Sequence, residues 1–258
     1  MAPRECKGPR LFVEGLHKRG AVEPNSLFPL PPNDSHYLRD VLRLPVGAIV
    51  EIGDPDSGET FTASIASITD GVTLSVIGKL DTTTTDLSII LLCALCKGEK
   101  NELITDWATE LGCSQIIFWQ AQRSIVRLKS EGDAHVKAQK FTKAAIAAAQ
   151  QSRQVRPPNV RVETSLKRAL SHLPTSENIL KVCCSLEHQA PPLEELTPHL
   201  QPGSSICIVI GPEGDLTPDE LQTLYHQGFK AASLGHQVLR SELAVVTAII
   251  TAKTTRPA

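Results

Sequence analysis

Ile206-Cys207-Ile208-Val209-Ile210 runs straight into Gly211-Pro212-Glu213-Gly214-Asp215, and Leu216-Thr217-Pro218-Asp219-Glu220 follows. Five apolar, mostly β-branched residues without polar alternation predict a strand buried on both faces, as in a parallel sheet. Thr217 then predicts a helix N-cap, Pro218 the first helical position, and Glu220 the far side of a capping box. Strand, glycine loop and helix in that order place the loop at the carboxyl end of a strand, where open α/β sheets bind ligands. Further on, Leu234-Gly235-His236-Gln237-Val238-Leu239-Arg240-Ser241-Glu242-Leu243-Ala244 forms a second loop leading into a C-terminal helix. The two loops carry the functional reading.

The 258 residues suffice for one large or two modest domains. No apolar run approaches the roughly 20 residues of a membrane span. Met1 to Arg10 has no apolar signal core, which predicts a cytoplasmic protein. Seven cysteines, odd in number and set in apolar runs, predict reduced thiols. Cys93 and Cys96 form a CxxC, but it lies in what reads as a buried strand and lacks a second pair at zinc spacing, so no metal is expected.

The net charge of −2 conceals an asymmetry. Between Arg123 and Arg168 stand eleven Lys and Arg against only Glu131, Asp133 and Glu163. Such a local excess suits a polyanion such as nucleic acid. It also suits a solvated helix face, since Lys137, Lys140 and Lys143 recur at helical spacing.

Taken in order, Arg10–Val13 reads as a short strand and Asn33–Leu44 as a helix stopped by Pro45. Strands over Ala48–Gly53, Phe61–Ser67 and Val72–Ile77, with turns at Asp54–Gly58 and Thr69–Gly71, predict a small barrel over residues 1–80. Residues 81–86 are polar and aperiodic and read as a linker. From Leu87 to the end, strands alternate with helices, the mark of an α/β domain. Strands are expected at Ile89–Leu95, Gln115–Trp119, Asn178–Ser185 and Phe229–Leu234, and a long Ala-rich helix from Asp133 to Gln151. No GxGxxG follows the first strand, which disfavours a dinucleotide oxidoreductase.

Several segments together resemble the SPOUT class of S-adenosylmethionine-dependent methyltransferases, in its RsmE-type branch. They are Ile210–Gly214, Leu234-Gly235 with Val238-Leu239-Arg240 and Glu242, Lys97–Lys100, Glu110–Gly112, Gln122-Arg123-Ser124, Lys143–Arg153, and His36–Leu44. The resemblance spans nearly the whole chain. It implies a PUA-like N-terminal barrel, a C-terminal α/β domain with a trefoil knot, and a homodimer that binds RNA. The implied activity is methylation of N3 of a uridine in 16S ribosomal RNA, presented free or in the small ribosomal subunit.

What the resemblance implies for residues is as follows. Leu186, Gly211, Glu213, Gly214, Leu234, Gly235, Val238 and Leu239 fall to the S-adenosylmethionine pocket. Arg240 is the candidate for stabilising the uracil anion, because guanidinium offers fixed forked donors. Asp215 is a candidate base by position. Arg10, Arg39, Arg43, Lys97, Arg123 and Arg153 are candidates for RNA contact. The chain departs from the family pattern at Asp215, Gln237, Leu243, Gln122 and Gln150. A left-handed backbone at Asp215 costs little, so the turn is expected to survive. Ribose 2′-O methylation and a non-catalytic RNA-binding role remain open as alternatives.

Overall fold

The computed structural model describes residues 8–16, 23–81, 87–175, 178–185, 190–201 and 203–255. The chain divides into two units, residues 1–84 with 149–157, and residues 85–148 with 158–258. Residues 149–157 thus belong with the first unit, although sequence pattern alone places them in the second. Most of the expected linker, residues 82–86, lies outside the described residues.

The first unit is built on one sheet. Its strands are β1 (Arg10–Phe12), β2 (Leu27–Pro29), β3 (Ile49–Gly53), β4 (Thr60–Ser67) and β5 (Thr73–Leu80), in the order β1-β3-β4-β5-β2. β1 runs parallel to β3 and the other pairs are antiparallel. Register breaks at Thr62/Ala63 and Ile65/Ser67 bend β4 against β5, which coils the sheet around Leu11, Phe28, Leu38, Ile52, Phe61, Ile65 and Leu74. β2 is too short to show alternation, which is why the sequence did not reveal it. Its Pro29 is tolerated because β2 is an edge strand.

The helix expected over Asn33–Leu44 is shorter and less regular. Helix α1 (Pro32–His36) passes into a π turn over Tyr37–Val41, and Arg43 turns to φ 52°. Leu42 N–H reaches back to Tyr37 and Leu44 N–H to Leu38, so the chain closes in wider rings than an α-helix. Pro31 occupies the N-cap of α1 without a side-chain bond. Ser35 instead ties α1 to the sheet, donating to the Leu30 carbonyl and accepting from Val72 N–H.

The second unit holds strands β6 (Ser88–Ala94), β7 (Cys113–Trp119), β8 (Asn159–Glu163), β9 (Ile179–Cys184), β10 (Ser205–Ile210) and β11 (Lys230–Ala232). All are parallel, in the order β11-β9-β10-β6-β7-β8. The unalternated runs have the expected cause. On β10, Ile206, Ile208 and Ile210 face one core while Cys207 and Val209 face another; on β6, Ile89, Leu91 and Cys93 oppose Ile90, Leu92 and Ala94. Helices α2 (Lys100–Glu110), α3 (Glu131–Gln151), α4 (Leu166–Leu170), α5 (Leu193–Leu196), α6 (Pro218–His226) and α7 (Ser241–Thr254) complete the order. Gly112 ends α2 at φ 84°, as its position predicts.

Helix α3 stops in a Schellman turn. Gln154 N–H bonds the Ala149 carbonyl, and Arg153 N–H the Gln150 carbonyl. Arg153 holds the left-handed position at φ 57°, where glycine is usual.

Candidate active site

Because the sheet is parallel, the loops after β6, β7, β10 and β11 leave it along one edge. Four sequence-distant segments meet there: 95–100, 120–124, 211–217 and 233–242. The glycine loop is the best determined of them. Asp215 N–H bonds the Pro212 carbonyl, and Asp215 takes φ 60°. Its Oδ1 accepts from Leu216 N–H at 2.8 Å. An aspartate therefore makes the left-handed turn as expected, and its carboxylate helps hold it.

The capping box is present. Thr217 Oγ1 accepts from Glu220 N–H, and Glu220 Oε2 from Thr217 N–H. The same buried carboxylate also accepts Gln122 N–H at 2.9 Å, tying the loop after β7 to the start of α6. Arg123 reinforces this junction by donating to the Gly214 and Leu216 carbonyls at 3.2 and 3.4 Å. A Cβ on Gly214 would stand 3.1 Å from Arg123 Cβ, so glycine permits this close approach.

The other side of the loop is held by charge. Lys100 Nζ lies 3.0 Å from Glu213 Oε1 and 3.3 Å from Glu242 Oε2. Lys97 N–H also donates to Glu213 Oε1. Partial burial pushes the Glu213 carboxyl up, but its own backbone N–H, the Lys100 ammonium and the Lys97 N–H outweigh that and hold it below the usual range. Ser241 Oγ donates to the Gly211 carbonyl at 3.1 Å, joining the first residue of α7 to the glycine loop. Asn101 shapes the turn after β6, accepting from Cys96 N–H and donating to the Cys96 carbonyl.

In the second loop Gly235 stands at φ 114°, and Ser233 Oγ accepts its N–H. Leu234 and Leu239 pack against the core, whereas Val238 is 74% exposed. Arg240 is the N-cap of α7; its carbonyl accepts from Ala244 N–H, while its guanidinium is exposed and without an ion pair or hydrogen bond among the described residues. Glu242, its nearest acidic neighbour in sequence, pairs with Lys100 instead.

The other predicted residues divide clearly. Leu186 lies outside the described residues. Lys97 and Arg43 have exposed side chains with no partner among the described residues, and Arg39 is exposed but grips Asp40 with two bonds of 2.9 Å. That guanidinium, then His36, brings the Asp40 carboxyl down to about 2.

Arg10 and Arg153 require correction as free RNA contacts. Arg10 is 4% exposed, donates to Glu51 Oε2 at 3.0 and 2.8 Å, and bonds the carbonyls of Arg153 and Gln154. Arg153 takes the second oxygen of Glu51 and the Gly8 carbonyl. Arg10 is committed to the interior of the first unit, and Arg153, 24% exposed, is held by Glu51 and the Gly8 carbonyl.

Sequence reasoning passed over Lys100, Glu220, Ser241 and Glu242 as site residues. All four lie in segments that resemble the family or read as a capping box, but their mutual contacts depend on the fold. Six cysteines are described, all of them free. Burial pushes the Cys113 and Cys207 thiols up to about 12, which keeps them inert. A cleft of about 650 Å³ lies away from these loops, between α3 and β8, and is lined by His135, Lys143, Arg161 and Arg168 among others.

Sheet and loops define a class. A family model described as an RNA methyltransferase domain matches residues 83–253. Ribosomal RNA small subunit methyltransferase E of Bacillus subtilis is 28% identical over 243 residues, 93% of this chain and 94% of that one. The protein of the same name from Rickettsia conorii is 30% identical over 220 residues, 83% of this chain and 84% of that one. The chain belongs to the ribosomal RNA small subunit methyltransferase E family. A solved structure of the Neisseria gonorrhoeae protein of that name, bound to S-adenosyl methionine, superposes with a TM-score of 0.83 at 24% identity, covering 96% of this chain and 97% of that one. The fold class is the expected one, an α/β protein with a PUA-like N-terminal barrel and a SPOUT-type C-terminal domain.

Proposed function

We propose that this protein transfers the methyl group of S-adenosylmethionine to N3 of a uridine in 16S ribosomal RNA. The observation that carries the reading is the joining of the Gly211–Gly214 loop to the start of α7 through Ser241 and the Lys100 ion pairs, beside the Leu234–Arg240 loop. The loops suit such a ligand. No heavy atom stands within 4 Å of where a Cβ on Gly235 would be, so its backbone is open to close approach. Glu242 Oε2, in the first turn of α7, is buried 3.3 Å from Lys100 Nζ without a well-formed hydrogen bond.

When bound, the cofactor supplies an electrophilic methyl carbon on a sulfonium. The protein's task is then mainly positioning. Gly211, Glu213 and Gly214 shape one wall of the cofactor site, while Leu234, Gly235, Val238 and Leu239 shape the other. Uracil N3 carries a proton at neutral pH, so the site must favour the anion. Arg240 fits that role, because its guanidinium is exposed and uncommitted among the described residues. Asp215 fits the role of base less well, because its carboxylate is occupied by Leu216 N–H. The target base must leave its stack, which single-stranded or distorted RNA makes easy. Arg39, Arg43, Lys97 and Arg123 are the remaining candidates for phosphate contact.

A homodimer in the cytoplasm completes the reading. Leu243 and Ile250 are 48% and 44% exposed on the outward face of α7, an apolar stripe suited to a second copy. Leu243 stands where the family commonly has Thr, which extends that stripe.

The test is incubation of the protein with labelled S-adenosylmethionine and small ribosomal subunits lacking the modification, followed by mapping of the methyl group. Label on uridine N3 is expected. Label on ribose, or cofactor binding without transfer, would sink the assignment.

A further inference from the structure

The trio at the glycine loop has an uneven charge. One ammonium, Lys100, sits between two carboxylates, Glu213 and Glu242, so the cluster carries one net negative charge. The three side chains are 23%, 23% and 13% exposed. Glu242 Oε2 has no contact with solvent and no well-formed hydrogen bond. The neighbouring charges differ in setting: Lys97 and Arg240 are exposed to water, Arg123 is spread over two carbonyls, and Asp215 bonds Leu216 N–H. The N-terminus of α7 offsets part of the Glu242 charge without cancelling it.

We propose that Lys100, Glu213 and Glu242 form a charge filter that favours the cationic methyl donor over the product left after transfer. The inference rests on the reading that these loops hold S-adenosylmethionine. In the transfer the carbon–sulfur bond breaks as the carbon–nitrogen bond forms, and the sulfur keeps the electron pair. The N3 proton passes to solvent water, and the sulfonium becomes a neutral thioether, S-adenosylhomocysteine. Donor and product differ by the transferred methyl and one unit of charge at sulfur and share every other group, so most packing and hydrogen bonding cancels in the ratio of their affinities. A change of that ratio on altering a remote charge then reports the charge at sulfur. A net negative cluster of low exposure discriminates on that difference and weakens the hold on the product. Glu242 and Lys100 are thus specificity-determining residues for the turnover step.

The experiment is titration calorimetry of the full-length protein with S-adenosylmethionine and, separately, S-adenosylhomocysteine, at mildly alkaline pH and low salt. Glu242→Gln removes a negative charge and is expected to lower the donor-over-product preference by about fivefold, the scale of one charge in a partly screened site. Glu213→Gln should shift it in the same direction. Lys100→Gln adds net negative charge and should raise the preference. A merely structural role predicts that both ligands weaken together, with the ratio unchanged. An unchanged ratio in the variants that still bind overturns the filter. Failure of the unmodified protein to bind either ligand overturns the cofactor reading itself, and the filter with it.

Discussion

Two charged clusters in this protein are mirror images in composition. In the first unit one carboxylate, Glu51, lies between two guanidiniums, those of Arg10 and Arg153. In the second, one ammonium, Lys100, lies between two carboxylates, Glu213 and Glu242. The difference lies in what surrounds them. Arg10 and Glu51 are only 2% and 5% exposed along their side chains, Arg153 is 24% exposed, and both guanidiniums spend further donors on backbone carbonyls. The Lys100 cluster is partly open, stands at a loop, and leaves a carboxylate oxygen without a hydrogen bond. The first cluster is saturated and the second is not. Saturation, rather than sign or number of charges, separates a fastening from a site.

The largest expected effect breaks the saturated cluster. Glu51→Gln leaves two guanidiniums without their counter-charge, and removing one partner of a buried pair costs about 3–5 kcal/mol. Urea unfolding should show that loss. A loss below about 1 kcal/mol would mean that water reaches the cluster, and the contrast with Lys100 would collapse.

Arg240→Ala comes next, with kcat down on the order of a hundredfold and cofactor affinity preserved, as for loss of one donor to a developing anion. Calorimetry beside single-turnover rates separates the two quantities. A smaller loss follows from Glu220→Ala, which removes the capping box and the acceptor for Gln122 N–H. About 2 kcal/mol of stability is expected to go, without direct damage to the Lys100 cluster.

The smallest effect sharpens the comparison most. Asp215→Gly relieves a left-handed backbone and loses one acceptor, two terms of about 1 kcal/mol that oppose each other. Stability should hardly move and transfer should persist; loss of transfer with intact cofactor binding would restore Asp215 as the base. Acid offers a related probe. The Glu213 carboxyl is depressed in the folded protein from 4.5, so its contribution is complete above that value and fades as pH falls through the lower folded value. Glu213→Gln should flatten that stretch of the acid unfolding curve slightly, since the side chain is partly exposed.

The parts that chain-local physics decides were legible in the sequence. The β10 run, the capping box at Thr217, the stop at Gly112 and the left-handed Asp215 each depend on residues within one turn of one another. β2 escaped notice because its three apolar residues are too few to show a period. β8 has five, whose strict alternation over Asn159–Glu163 stands directly after the Pro157-Pro158 break and is bracketed by charged side chains. The π turn at Tyr37 escaped because its wider rings need no residue that an α-helix would refuse. The fate of the arginines was illegible for a different reason. Glu51 lies 41 residues from Arg10 and 102 from Arg153, so no local pattern distinguishes a committed guanidinium from an available one. The family resemblance located the loops, but could not show that Lys100 is shared between them.

The order of strands also bears on how the protein is made. β6 emerges from synthesis before its partners, and β7, its neighbour on one side, is the next strand in sequence. The other edge of β6 pairs with β10, Ser88 against Ser205, and must wait for most of the chain. The glycine loop then waits again, until Ser241 arrives to hold Gly211. Long-range parallel pairing of this kind folds slowly. During translation, therefore, the loop-bearing edge of the second unit is the last part to mature, and until then the side of β6 that will meet β10 stands without its partner strand.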